Sequence, residues 1–406
     1  MFMSTPSLAH IQAVLSDMLA RFHLARFWAR LGLAVVLCST LSGILMSTPL
    51  QAQPAGTAGI DFTPSGSATV PSPFGGLSSF TYETWVKPRV EQGASFQHFM
   101  SHVDDRGFFI RKSNRGLVFL LDYNGGTREQ VEWGTPVADN VWIHVAATYD
   151  AGTRELTLYV DGVQEATATL PTGATIDEPL QDLSFGRESA GQMDQARVWN
   201  RALNATEVIT AKDNTDPSLS GVVSAWLFED DTSTDNPTTV TDSQGGNTAS
   251  FGTGVRCAYR VENTNDSGAG SLRSAISAAN QDTDQDLIDF SIPGSGPHEI
   301  LLDDQNEITA PVTIDGYLQA GATPNTETAL RNGSNAVLQV EVNGSTTYQN
   351  ISSSFQRYAF EFATGSEGSV VRGLAMGGFE ITASSFGDDG PIEIRTSNIT
   401  VQGNFF

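Results

Sequence analysis

The stretch from Trp142 to Gly162, WIHVAATYDAGTRELTLYVDG, decides the fold class. Trp142–Tyr149 and Leu156–Val160 are rich in β-branched and aromatic residues, and Ala151-Gly152-Thr153-Arg154 stands between them. That pattern predicts a β-hairpin. The same grammar continues on both sides. Phe80–Val86 (FTYETWV) alternates, with Phe80, Tyr82, Thr84 and Val86 on one face. Arg106–Ile110 and Leu117–Tyr123 are further strands, punctuated by Asn114-Arg115-Gly116 and Asn124-Gly125-Gly126. Short strands at regular spacing predict an all-β architecture, an antiparallel sandwich over residues 53–255. One short helix is expected after Asn204, an N-cap with Glu207 three residues on in capping-box position.

The composition changes near Val255. Ser271–Asn280 (SLRSAISAAN) reads as a helix with Leu272, Ala275, Ile276 and Ala279 on one face. Short apolar pieces follow, separated by Gly and Asn: 287–292, 299–302, 312–315, 337–342, 358–362, 369–374, 391–395 and 398–401. They predict a solenoid of coils of roughly 20 to 25 residues each, in which each coil buries its apolar face on the next. The fold expected over 256–406 is a right-handed parallel β-helix with the Ser271 helix as N-terminal cap. No capping element precedes Phe406, so an incomplete β-helix is expected.

Residues 1–52 read as a secretory signal. Arg21, Arg26 and Arg30 precede the apolar run Leu31–Met46, and small residues follow up to Ala52, the expected cleavage point. Met18 opens a tidier leader than Met1. The whole chain of 406 residues carries a formal charge of −24. Removing residues 1–52 takes away three Arg and Asp17, leaving 19 basic and 45 acidic residues, a net −26. Such a surface repels nucleic acid and anionic membranes, so neither is an expected partner, and the mature chain is not expected to insert in a membrane. Cys257 is the one cysteine after the leader, which leaves no disulfide and no zinc spacing. The expected location is the cell surface or the medium.

Three pieces, FTYETWVKP (80–88), the 142–162 stretch and GQMDQARVWNRALNATE (191–207), resemble in order and spacing the laminin-G-like jellyroll family of the concanavalin-A-like lectin and glucanase superfamily. VENTNDSGAGSLRSAISAAN (261–280), DLIDFSIPGSGPHEI (286–300) and PVTIDGYLQAGATPNT (311–326) resemble secreted bacterial repeat proteins with a pectate-lyase-like parallel β-helix. The first resemblance implies binding of a glycan or surface polymer from loops at one end of the sandwich, with Ca²⁺ as a cofactor of that binding.

Candidate calcium ligands are Asp194, Asp104, Asp105, Asp150 and Asp161, since a hard cation needs six to eight oxygens from converging loops. Four of them have a plainer reading: Asp161 as the turn residue of Asp161-Gly162, Asp194 as a structural hydrogen-bond acceptor, Asp104-Asp105 as solvated charge. Trp85, Trp142, Trp199 and Trp226 fall in strand patterns and are expected in the core. Trp133, in the turn-like EWGTP, and Tyr123, beside Asn124-Gly125-Gly126, are the aromatics placed to stack on a sugar ring. No E-x-D-x-E run for paired carboxylates and no G-x-S-x-G occurs in the sandwich, so no catalytic residue is assigned. The expected function is a surface or secreted binding protein of adhesin type. A polysaccharide lyase or hydrolase whose catalytic coils lie elsewhere, and a structural surface component, are the alternatives.

Overall fold

The computed structural model describes residues 54, 58–71, 75–89, 96–102, 106–179, 181–216, 218–228, 239–327, 333–344, 358–379 and 390–406. The expected leader and the Asp104-Asp105 pair lie outside them.

The first half contributes strands β1 Ala58–Phe62, β2 Ala68–Val70, β3 Phe80–Pro88, β4 Phe96–His102, β5 Arg106–Arg111, β6 Leu117–Tyr123, β7 Thr127–Trp133, β8 Ile143–Asp150, β9 Glu155–Val160, β10 Val163–Thr169, β11 Leu183–Phe185 and β12 Gly191–Trp199. Helix α1 Ala205–Lys212 and strands β13 Val222–Trp226, β14 Thr239–Val240 and β15 Ala249–Phe251 complete it. One sheet runs β10-β9-β8-β3-β12-β1, with β13 on β12, and the facing sheet runs β14-β15-β2-β11-β4-β5-β6-β7. All of these pairings are antiparallel, as a jellyroll-like sandwich requires. The core between the sheets is aromatic. The Phe119 ring lies 5.0 Å from Phe108, 6.2 Å from Tyr82 and 6.4 Å from Phe80. Such pairs add about 0.5–1.5 kcal/mol each beyond the area they bury.

The β8–β9 hairpin turns at Ala151–Arg154, where Asp150 Oδ1 accepts the Gly152 amide at 2.9 Å. In β3 the expected alternation tells half the story, because all nine residues are buried. Phe80, Tyr82 and Val86 face the sandwich core. The opposite face is covered in part by α1, whose Val208 and Ala211 pack on Ala146, Tyr159 and Trp199. The capping box of α1 is formed: Asn204 Oδ1 accepts the Glu207 amide at 3.1 Å, and Glu207 Oε2 accepts the Asn204 amide at 2.9 Å.

The second half contributes β16 Val255–Val261, α2 Leu272–Ala279, β17 Asp286–Phe290, β18 His298–Leu302, β19 Asn306–Ile308, β20 Val312–Asp315, β21 Val340–Gly344, β22 Phe360–Phe362, β23 Val370–Arg372, β24 Ala375–Gly377, β25 Ile392–Ile394 and β26 Thr400–Gln402. Every strand pair after β16 is parallel. The sequence β16-β17-β20-β23-β26 forms one stack, β18-β21-β24 a second and β19-β22-β25 a third. Ile288, Ile300, Ile308, Ile314, Val342, Phe360 and Val371 fill the space they enclose. Helix α2 adds the four apolar residues expected of it, Leu272, Ala275, Ile276 and Ala279.

β16 belongs to both halves. It pairs antiparallel with β1 and parallel with β17, so one sheet of twelve strands is continuous from sandwich to stack. The spacing of 20 to 25 residues does not hold. The register sets Asp286 beside Val312, Thr313 beside Val370 and Val370 beside Thr400, so successive steps take 26, 57 and 30 residues. Insertions enter between the short paired segments, which need only three to five residues each to keep the ladder.

Candidate functional site

The two aromatics singled out from the sequence stand at opposite ends of one hairpin. Register pairs Leu117 with Trp133 and Tyr123 with Thr127. Six residues of strand, about 20 Å, separate them.

The Tyr123 end is closed upon itself. Asp177 accepts the Gly125 and Gly126 amides at 2.9 and 2.7 Å, and Asn124 Oδ1 accepts the Thr175 amide at 2.9 Å. Tyr123, 8 % exposed, bridges to Ile176. Beneath it the Arg106 guanidinium lies over the Phe80 ring at 4.4 Å and donates to the Asp177 carbonyl at 2.9 Å. His102 Nδ1 donates to the Gln181 carbonyl at 2.9 Å, leaving Nε2 to accept the Tyr82 hydroxyl at 2.9 Å. Burial pushes the His102 imidazole down to about 4, and the nearby Arg106 charge pushes the same way.

The Trp133 end is open. Of the five described tryptophans, Trp85, Trp142, Trp199 and Trp226 are at most 2 % exposed, while Trp133 is half-buried, packed against the edge of the sandwich core. A Cβ at Gly134 would meet nothing within 4 Å, and three residues on Val137 returns to the sandwich core. Planar polar groups lie at the same end. Asn114 Nδ2 donates to Glu132 Oε1 at 3.4 Å, Arg111 pairs with Glu132 at 3.5 Å, and Arg111 Nη2 donates to Gln130 Oε1 at 3.0 Å. Arg115 Nε donates to the Val137 carbonyl at 2.7 Å and the same guanidinium pairs with Asp139. A half-buried indole at a strand end can stack on the apolar face of a sugar ring, while Gln130, Glu132 and their partner Arg111 lie on the opposite, outer face of β7 with Phe96 and Phe109.

The acids proposed as calcium ligands are dispersed. Asp194 is fully buried in mid-strand, beside a β-bulge at which Gln195 takes φ 49°. Its Oδ2 accepts from Arg260 Nη2 at 3.1 Å. Asp161 Oδ1 accepts the His144 amide at 2.9 Å, and burial holds its carboxyl above the usual range. Asp150 serves its own turn, accepting from Gly152 and from Thr153 Oγ1 at 3.0 Å. Among the described residues no group of three or more His, Cys, Asp and Glu lies together, and Asp104 and Asp105 lie outside those residues.

Two buried polar clusters were not foreseen in the sequence. Glu83 accepts from Arg197 Nη1 at 3.0 Å and Trp199 Nε1 at 3.1 Å, with His144 Nε2 at 3.2 Å, all beneath α1. Burial alone would raise the Glu83 carboxyl, but the His144 hydrogen bond and the Arg197 charge outweigh it and lower it. Where sandwich meets stack, Lys87 Nζ reaches Asp289 Oδ2 at 2.5 Å and Ser291 Oγ at 3.0 Å. Asp61 is shared by Arg89 at 2.7 Å and Arg256 at 2.9 Å, and Arg260 lies over the Trp142 ring at 4.7 Å. These partners are up to 204 residues apart in sequence, and no local pattern announces them.

Residues 62–209 match the family model of the concanavalin A-like lectin/glucanases superfamily (Laminin_G_3). The sandwich is similar to concanavalin A-like domains over these residues. Among solved structures the chain is similar to a proposed carbohydrate-binding protein of Bacteroides ovatus, at 21 % identity over 50 % of this chain and 60 % of that one, with a TM-score of 0.42. It is also similar to the heptameric SAP-like pentraxin of Limulus polyphemus, at 14 % identity over 51 % and 96 %, TM-score 0.35. A third is the CBM40 module of a Ruminococcus gnavus IT-sialidase bound to α2,3-sialyllactose, at 16 % identity over 40 % and 96 %, TM-score 0.30. The chain thus spans less than two thirds of the Bacteroides protein's length. No curated protein matches it.

Proposed function

We propose that the concanavalin A-like sandwich binds carbohydrate through its Trp133 end. The observation that carries this reading is the exposure pattern of the tryptophans: four of the five described are sealed in the structure, and Trp133, at a strand end, is only half-buried. A large apolar ring left at a strand end contributes less to folding than a buried one and is available for stacking. The match of residues 62–209 to a lectin and glucanase superfamily supports the same chemistry.

The three parallel stacks of the second half support reading it as coils of a parallel β-helix, joined rigidly to the sandwich through β16. The leader-like residues 1–52 support export, which N-terminal sequencing of the mature protein tests directly. Among the described residues no helix is long and apolar enough to cross a membrane.

The binding reading is tested by affinity electrophoresis of the full chain through gels containing neutral and sialylated polysaccharides, alongside Trp133→Ala and Tyr123→Phe. Retardation abolished by Trp133→Ala and kept by Tyr123→Phe is the expected result. Retardation lost with Tyr123→Phe and kept with Trp133→Ala would move the site to the other end of the hairpin.

A further inference from the structure

Lys87 and Asp289 belong to different halves of the molecule and meet out of reach of water. Lys87 lies in β3 and Asp289 in β17, and their side chains are 2 % and 1 % exposed. Lys87 Nζ stands 2.5 Å from Asp289 Oδ2, 3.2 Å from the Phe290 carbonyl and 3.0 Å from Ser291 Oγ. A nitrogen that close to one carboxylate oxygen is about 3–3.5 Å from the carbon that bears it, a near-attack distance. The other oxygen, Asp289 Oδ1, accepts no hydrogen bond.

The surroundings disfavour an ammonium. Burial pushes Lys87 down, and the Arg260 and Arg89 charges push the same way against the pull of Asp289. Parallel register sets Arg260 of β16 beside Asp289 of β17. A desolvated lysine among further cations is an activated nucleophile, and a guanidinium beside a carboxyl group stabilises the oxyanion that attack on it forms. Two opposite charges buried together carry a desolvation cost that a neutral amide in their place removes. The other fully buried carboxylates with cation partners do not offer this chemistry: Glu83 and Asp194 face the guanidiniums of Arg197 and Arg260, which have no amine to acylate. Among the described residues one other lysine has an ion pair, Lys212 with Asp213, and that pair is open to water.

We propose that Lys87 and Asp289 condense into an intramolecular isopeptide bond that welds the sandwich to the parallel half. The step needs no further reactant. The ammonium gives one proton to Asp289 Oδ2. The freed Nζ lone pair attacks Cγ, and the carbonyl electrons move to Oδ1, on the carboxyl group beside Arg260. A second proton passes from the nitrogen through the Ser291 hydroxyl to Oδ2. The Cγ–Oδ2 bond then breaks, water leaves, and the Oδ1 electrons restore the carbonyl. The amide keeps one N–H, for which the Phe290 carbonyl is an acceptor. A site closed to solvent protects the bond from the reverse hydrolysis.

The test is intact mass spectrometry of the folded full chain, fresh and after incubation at neutral pH, followed by denaturation and tryptic mapping. The wild type should weigh one water less than its sequence counted from the observed N-terminus. Tandem spectra should show a branched peptide joining Lys87 to Asp289. Lys87→Arg keeps the charge but cannot form the bond, and should return to the full sequence mass. The wild-type branched peptide decides the matter even where the variant does not fold. A wild type at full sequence mass after incubation would overturn the proposal. So would a lost water that persists in Lys87→Arg and maps to cyclisation at an Asp-Gly step such as Asp161-Gly162.

Discussion

Asp194 and Trp133 both stand in strands of the sandwich, and the structure uses them in opposite ways. Asp194, read from sequence as an ion ligand, is sealed at 0 % exposure with its carboxylate on Arg260. Trp133 has the residue type most at home in a core, yet keeps part of its ring open at a strand end. The difference lies in what arrives from elsewhere in the chain. Arg260 comes from β16, 66 residues on, and closes over Asp194, whereas Trp133 stands at the end of its strand and is only partly covered. An acid is available to a ligand only where no cation of the fold has claimed it.

The largest effect expected on this contrast comes from Asp194→Ala. It removes the 3.1 Å partner of a buried guanidinium and should cost about 3–5 kcal/mol in urea unfolding, with polysaccharide binding unchanged in the folded fraction. Partial recovery in Asp194→Ala combined with Arg260→Met would show that the cost is the stranded charge.

Next comes pH, at the closed Tyr123 end. His102 has its folded pKa depressed to about 4, against about 6.5 when unfolded, because burial and the nearby Arg106 charge disfavour the charged ring and outweigh the Gln181 hydrogen bond, which works the other way. The unfolded chain takes up the proton first as pH falls. The stability is therefore complete above about 6.5 and is lost between there and about 4, at most about 3 kcal/mol. Thermal melts of the wild type and His102→Gln across that window should diverge at neutral pH and converge in acid.

Asp177→Ala should cost about 2 kcal/mol, through loss of two charge-assisted bonds to the Gly125 and Gly126 amides, and should spare binding at the Trp133 end. The smallest effect is that of chelation. With Asp194, Asp150 and Asp161 each serving the fold, EDTA should leave melting temperature and carbohydrate binding unmoved; a fall in either would restore a calcium site to the loops.

The legibility of the chain follows the range of its interactions. The 151–154 hairpin turn, the capping box at Asn204 and the buried face of α2 rest on contacts within a few residues, and each was readable. The second face of β3 was not. Glu83 and Lys87 look solvated in FTYETWVKP, and are buried because Arg197, His144 and Asp289 arrive from distant strands. The coil spacing was misread for a related reason: parallel pairing constrains the short paired segments and leaves the loops between them free in length. The sequence marks both candidate aromatics, but their placement at opposite ends of β6–β7 depends on the hairpin register.

The central claim is most directly tested by titrating the full chain and Trp133→Ala with the polysaccharide that retards the protein most, by calorimetry, with melting temperatures measured on the same samples. The account predicts a loss of about 2 kcal/mol in binding, roughly thirty-fold in affinity, in protein that stays folded at the titration temperature, with a melting temperature lowered by the lost packing of Trp133 on the sandwich core. Equal affinities for the two proteins would contradict it.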